Sequence, residues 1–383
     1  MVTVNYINET GNNRTSSMNR ITISSLTDLY TIKEVSEYYD EIIINLNKLK
    51  SDGLIRHTVK YSNYALRTGG LMIIHSSPFE SYVLKRNKID FWQVKYEIFG
   101  SLKDTIEIIE VNAKEGKIVL RKKKHLYDYS GISFGIVFSG NKEEEKQLIR
   151  SIDSIRQNKE LNRINYEVLI SGPIIYDPAI IIDEFPGLNI KYVPLDISTH
   201  PRLMICEKKN LLYKKAQYSL VVISHSRILF SDDFVQRLTR FPIDMATPAV
   251  FFTDNGKSYK YLDLAFIGSY QDLQLGAKRS TIAGENIQDD YLHWYRKRVP
   301  FIDGGLNVFN KNVIPEPPYN NHVSWGEAED VDLCNRLFQN GVLIDYLPAI
   351  KCYSATCKVT GYSSLKKIAR KLFIYLNQKR IIH

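Results

Sequence analysis

The sequence predicts an α/β protein with a mostly parallel central sheet, a smaller α/β unit before it and an amphipathic helix at its C-terminal end. Three observations carry that prediction. From residue 131 onward, short apolar runs ending in small polar residues alternate with stretches of helical periodicity, the pattern of βαβ units. Upstream of residue 125 the order differs: two strand-like runs around a helical stretch, then a hairpin. After residue 358 apolar residues recur at helical spacing among basic ones. The 383 residues are 44% hydrophobic and 24% charged, the composition of a folded chain and not of a disordered or fibrous one. At about 150 residues per domain, that length fits two or three domains.

Taken in order, residues 1–20 are polar and lack the apolar core of a signal peptide. No run approaches the roughly 18 uncharged apolar residues of a membrane-spanning helix. Residues 41–45 (EIIIN) read as a short buried strand, and 46–66 as a mixed helical stretch. Arg67-Thr68-Gly69-Gly70 reads as a turn before a second strand at 71–75. Residues 105–111 and 117–122 read as a hairpin closed by a five-residue loop containing glycine.

A break at 125–130 opens the larger region. Residues 131–139 (GISFGIVFS) form a continuous apolar strand ending in Ser139-Gly140-Asn141. A helix over 143–157 follows, its apolar face carrying Leu148, Ile149, Ile152 and Ile155. Strands at 166–170, 191–194 and 219–224, with a helix at 208–217, continue the alternation. In such sheets ligands bind beyond the carboxyl ends of the strands. The loops at 139–141, 171–173 (Ser171-Gly172-Pro173) and 224–227 are therefore the candidate site.

The densest chemical signal is residues 325–337, where Glu327, Glu329, Asp330 and Asp332 place four carboxylates in six residues. They open a helix predicted over 331–339 and closed by Asn340-Gly341. Acidic residues suit a helix N-terminus through its dipole and through capping. They also suit a general base beside a reacting hydroxyl, and repulsion between adjacent Glu329 and Asp330 raises one pKa. Both readings stand at this point.

The formal net charge is +9, and from Lys358 to the end there are seven Lys/Arg and no Asp or Glu. Leu365, Ile368, Ala369, Leu372, Phe373 and Leu376 form one stripe of that segment, with Lys366, Lys367, Arg370 and Lys371 off it. Such a helix either packs on the main domain with a solvated basic face or rests on an anionic membrane surface. The basic residues, including a second cluster at 117–124, belong to no nucleic-acid-binding motif, so no nucleic acid is expected. Four cysteines without a CxxC pair predict neither a zinc site nor a disulfide framework, and a reducing, cytoplasmic setting.

Five segments in sequence order resemble the GT-A glycosyltransferases, chiefly the large inverting family of bacterial polysaccharide enzymes. SFGIVFSGN resembles its nucleotide-binding first strand and YEVLISGP its second. EKKNLLYKKAQYSLVVISHSRI resembles the Lys/Arg-Asn helix leading into the strand that ends at a metal-binding DxD. DGGLNVFNKNV resembles the segment before the acceptor motif, and WGEAEDVDLCNRL resembles that motif itself. The resemblance covers about residues 131–355. It implies a sugar transferred from a nucleotide-diphosphate sugar to a glycan or lipid-linked acceptor hydroxyl, as in surface polysaccharide or glycan synthesis. Carried over residue by residue, Asp330 is the catalytic base and Glu329 its acidic neighbour. Ser139, Asn141, Ser171, Lys209, Asn210, His225, Arg227, Gly304 and Gly305 fall near the nucleotide-sugar. Trp325 and Glu327 fall near the acceptor, where Trp325 either stacks on a sugar face or packs in the core.

The chain departs from that pattern where the DxD should stand, since it carries His225-Ser226-Arg227. Three readings follow. His225 ligates Mn2+ or Mg2+ with help from Asp232 or Asp233; Arg227 replaces the ion on the diphosphate; or the site is inactive and the chain is a glycan-binding or scaffolding partner. Residues 38–122 resemble the later half of a class I S-adenosylmethionine-dependent methyltransferase. That family's glycine-rich cofactor loop has no counterpart in residues 1–40, which contain only Gly11, so no S-adenosylmethionine is expected. The expected organisation is thus a degenerate Rossmann-like unit at 1–125, a GT-A domain at 126–361 and a basic helix at 362–383. Its expected location is cytoplasmic, peripheral to the inner face of the membrane if the helix binds lipid.

Overall fold

The structure, a computed structural model, describes residues 2–3, 17–49, 52–79, 91–196, 204–254, 257–260, 264–267, 282–283, 291–292, 295, 299–323 and 329–356. Trp325, Glu327 and the expected helix at 362–383 lie outside the described residues. The chain divides into two compact units, residues 1–128 with 240–242, and residues 129–239 with 243–383.

The smaller unit is built on a five-stranded sheet. Its strands are β1 (Arg20–Ile23), β2 (Tyr39–Asn45), β3 (Leu66–His75), β4 (Ile106–Asn112) and β5 (Lys117–Lys122). The spatial order is β1-β2-β3-β5-β4, parallel through β3 and then antiparallel. Helices α1 (Leu26–Ile32), α2 (Ile55–Ala65) and α3 (Phe91–Leu102) accompany it. The strand, helix, strand and hairpin expected at 41–122 are all present. Arg67-Thr68-Gly69-Gly70, expected as a turn, lies instead inside β3. The pairing register with β2 shifts between Tyr39 and Glu41, and Gly69 takes φ +87°. Glycine is suited to that bulge because it adopts positive φ without strain.

The larger unit holds a nine-stranded sheet. Its first half comprises β6 (Gly131–Val137), α4 (Lys142–Arg156), β7 (Asn165–Pro173), β8 (Ile190–Leu195), α5 (Ile205–Lys215) and β9 (Leu220–His225). All seven residues of β6 are buried, which explains its uninterrupted apolar sequence. The second half comprises β10 (Ile228–Phe230), α6 (Phe234–Leu238), β11 (Met245–Asp254), β12 (Lys257–Lys260), β13 (Val299–Ile302), β14 (Leu306–Asn310), α7 (Glu329–Gln339) and β15 (Ile344–Ser354). The sheet order is β8-β7-β6-β9-β14-β11-β15-β10, with β12 on β11; β13 belongs to a separate three-stranded sheet.

The parallel pairing expected from the sequence holds from β8 to β9. Beyond β9 the sheet becomes mixed, because β14 runs antiparallel to both β9 and β11 while β11 and β15 are parallel. Strand order reverses direction around β6, whose neighbours are β7 and β9. That is a topological switch point, so the loops leaving β6 and β9 diverge and open a crevice between them. Among the described residues no helix is long and apolar enough to cross a membrane. Cys206, Cys334 and Cys352 are buried.

Candidate functional site

Leaving β6, the chain turns at Gly140 (φ +90°), and Asn141 caps α4 by accepting from the Glu144 backbone N–H at 2.8 Å. Glu144 folds back over this turn. Its Oε2 accepts from the Ser139 N–H at 3.1 Å and from the Ser139 hydroxyl, and its Oε1 accepts from the Ser226 hydroxyl at 2.6 Å. One carboxylate thus ties the end of β6 to the His225-Ser226-Arg227 turn after β9. In that turn Arg227 Nη1 donates to His225 Nδ1 at 2.8 Å, and the His225 N–H donates to the Gly305 carbonyl at 3.0 Å. Asn141, Glu144, His225, Ser226 and Arg227 are among the residues lining a cleft of about 320 Å3.

The second half of the site is built on Asp303-Gly304-Gly305, between β13 and β14. Asp303 Oδ2 accepts from the Gly305 N–H at 2.9 Å. A Cβ at Gly304 would lie 3.0 Å from both Lys209 Nζ and Glu329 Oε1, and 3.7 Å from the Asp330 Cβ. A Cβ at Gly305 would lie 2.8 Å from Asp303 Oδ2 and 3.0 Å from Arg227 Nη2. Only glycine allows so close an approach on both sides.

Lys209 is fully buried on α5. Its ammonium donates to the Gly304 carbonyl at 2.9 Å, lies 3.6 Å from Glu329 Oε1 and stands 4.9 Å above the Tyr319 ring. Burial lowers its pKa, and the Glu329 carboxylate partly offsets that. Asn210 next to it donates to the Tyr319 carbonyl and to Asn321 Oδ1, both at 2.7 Å, and accepts from the Tyr319 N–H. Both residues, expected beside the nucleotide-sugar, are hydrogen-bonded within the protein, where they hold the segment around Gly304 and Tyr319. Asp330 lies in the first turn of α7. Burial, then the Glu329 and Asp303 carboxylates, push its pKa above the ordinary carboxylate range, while the Val331 N–H and Lys209 pull it down.

The remaining expected residues separate. Ser171 is buried in β7, where its carbonyl accepts from the Phe138 N–H. Asp232 pairs with Lys159 at 2.5 Å, and Asp233 with Ser231 and Arg237, so neither carboxylate is committed to His225. Among the described residues no group of three His, Cys, Asp or Glu side chains is placed to hold a metal ion. Two acidic residues at the site lie outside the sequence expectations: Asp303, which directly precedes the expected glycines, and Glu144. An Asp directly before two glycines at a strand end was the available signal for the first. For the second it was a Glu three residues after an Asn cap.

No protein-family profile matches the chain, and no curated protein matches it in sequence. Solved structures do resemble it. TarS of S. aureus (residues 1–349) is 13% identical with a TM-score of 0.37, covering 58% of this chain and 60% of that one. GalNAc-T7 with UDP, GalNAc and Mn2+ is 12% identical with a TM-score of 0.43, covering 73% and 54%. The mannosyltransferase PcManGT from Pyrobaculum calidifontis, in complex with GDP-Man and Mn2+, is 12% identical with a TM-score of 0.41, covering 76% and 70%. The chain thus spans 60% or less of the length of the first two. None of the three is a methyltransferase, and nothing in them supports the methyltransferase-like reading of residues 38–122. The structural neighbours of this chain are GT-A-type glycosyltransferases.

Proposed function

We propose that the chain transfers a sugar from a nucleotide-diphosphate donor to a glycan or lipid-linked acceptor hydroxyl, in surface polysaccharide or glycan synthesis. One observation carries this reading. The Gly304-Gly305 turn has Asp330, Glu329 and Lys209 against one glycine, and Arg227 with Asp303 against the other. A base and a cationic turn therefore pack against one stretch of backbone so closely that neither glycine could carry a side chain without displacing them.

In the proposed reaction Asp330 accepts the acceptor hydroxyl's proton while that oxygen bonds to the anomeric carbon. The bond from that carbon to the donor's phosphate oxygen breaks, and the nucleoside diphosphate leaves with the electron pair. A single displacement inverts the configuration. The raised pKa brings Asp330 closer to neutral, where a base accepts protons more strongly. Glu329, held by Lys209, fixes the first turn of α7 and so the position of Asp330.

A second reading, a non-catalytic glycan-binding or scaffolding partner, is favoured by the carboxylates of Glu143 and Glu144 lining the cleft. A panel of nucleotide sugars separates the two. Release of nucleoside diphosphate from one donor, accelerated by a glycan or lipid-linked acceptor, supports transfer. Glycan binding with no turnover of any donor supports the second reading and defeats the first.

A further inference from the structure

The GT-A resemblance implies a divalent cation beneath the donor's diphosphate, and the residues of this chain do not fit one. Mn2+ and Mg2+ take mainly oxygen ligands, with carboxylates foremost. At the end of β9, where those carboxylates would stand, the chain has His225-Ser226-Arg227. His225 directs its Nδ1 lone pair at an Arg227 N–H, 2.8 Å away, and not at an open position. A guanidinium keeps its charge throughout the accessible pH range, so this one opposes a second cation beside the same ring. The carboxylates near in sequence, Asp232 and Asp233, are paired elsewhere. Glu144 already accepts three hydrogen bonds.

We infer that this chain holds the donor's diphosphate without a divalent ion, with the Arg227 guanidinium in the ion's place. The inference rests on the donor site proposed above. Arg227 lines the cleft at the switch point. Its bond to His225 uses Nη1 and fixes the plane of the guanidinium. Its Nε is buried with no hydrogen-bond partner among the described residues, so the amino end of the guanidinium, Nη2 with the second Nη1 hydrogen, is what would grip two phosphate oxygens as a fork. Gly305 lets the backbone pack directly beside the guanidinium, where a Cβ would sit 3.0 Å from Nη2 and press on it. Charge growing on the departing diphosphate thus meets a fixed cation already oriented by the fold, which needs no reorganisation during the reaction. Glu143 and Glu144 weigh against an anion in the same cleft. Ser139 and Ser226 already hold the Glu144 carboxylate, however, and Glu143 alone is not a cation site.

Titration calorimetry of the full chain with UDP, GDP, ADP and CDP tests this, first in EDTA and then with excess Mn2+. One diphosphate should bind in EDTA, and Mn2+ should change its Kd by less than about twofold. Arg227→Ala should weaken that binding about 10- to 100-fold, the worth of hydrogen bonds to a charged partner. Arg227→Lys, which keeps the charge and loses the fork, should fall between the two. Circular dichroism of both variants checks that they fold. Binding that needs Mn2+, or unchanged binding by Arg227→Ala, overturns this inference and leaves the donor site standing. No binding of any diphosphate under either condition overturns both.

Discussion

At the scale of single residues, the site depends on how one lysine divides two adjacent carboxylates. Lys209 lies 3.6 Å from Glu329, while burial, Glu329 and Asp303 all raise the pKa of Asp330. The folded protein therefore holds the Asp330 proton more tightly than the unfolded chain does. Ionised Asp330 then costs stability, not at acid pH but increasingly as pH rises from the unfolded towards the folded pKa. Asp330→Asn removes the charge and keeps an oxygen for the Val331 N–H. Thermal melts should show the variant more stable than the parent at neutral pH and equal to it at acid pH; equal melting at every pH contradicts the raised pKa. Gly304→Ala makes a second test, because its methyl group would press on Lys209 Nζ and Glu329 Oε1 at 3.0 Å. Transfer should fall about 10- to 100-fold as those groups shift, with the secondary structure retained. Glu329 and Asp330, and in a separate segment Gly304 and Gly305, could be named from the sequence because each pair is adjacent in the chain. Asp303 directly precedes those glycines, but its effect on Asp330 is set by α7, which reaches it only in three dimensions.

Among the elements, β6, β7, β8 and β9 were legible to within a few residues. In β6, β7 and β9 burial of nearly every residue explains the apolar run that marks them, whereas β8, at the sheet edge, is half-buried or exposed throughout. The outer half of the sheet was not legible. β11 and β15 contain Pro248 and Pro348, which ordinarily argue against a strand. The fold accommodates both at one irregularity, where Pro248 pairs with Leu347 and Ala249 next pairs with Lys351. The direction of β14 was equally hidden, because the connection that sets it has no local signature. The loops after β6 and β9 are tied together by the Glu144 bridge to Ser139 and Ser226. Glu144→Ala should cost about 1 kcal/mol in a denaturant titration, the net worth of such hydrogen bonds. A midpoint identical to that of the parent protein would show that the bridge contributes nothing.

For the molecule as a whole, sheet and charge are distributed unevenly. A five-stranded and a nine-stranded sheet fall in separate units, and the sequence concentrates excess Lys/Arg after Lys358. If that segment binds lipid, removal of residues 362–383 should abolish association with phosphatidylserine vesicles while transfer to a soluble acceptor persists. High salt should weaken the intact protein's association in the same assay, because basic side chains act on a charged surface through a screened field. Undiminished vesicle binding by the truncated protein would reject this role for the segment. The central claim is that Asp330 is the base of a transferase whose donor lies on the far side of the glycine pair. Its most direct test measures transfer rate and nucleoside-diphosphate affinity together, in the parent protein and in Asp330→Asn. The account predicts that transfer falls about 10²- to 10⁴-fold while diphosphate affinity stays unchanged. Transfer at the parent rate by Asp330→Asn would contradict it.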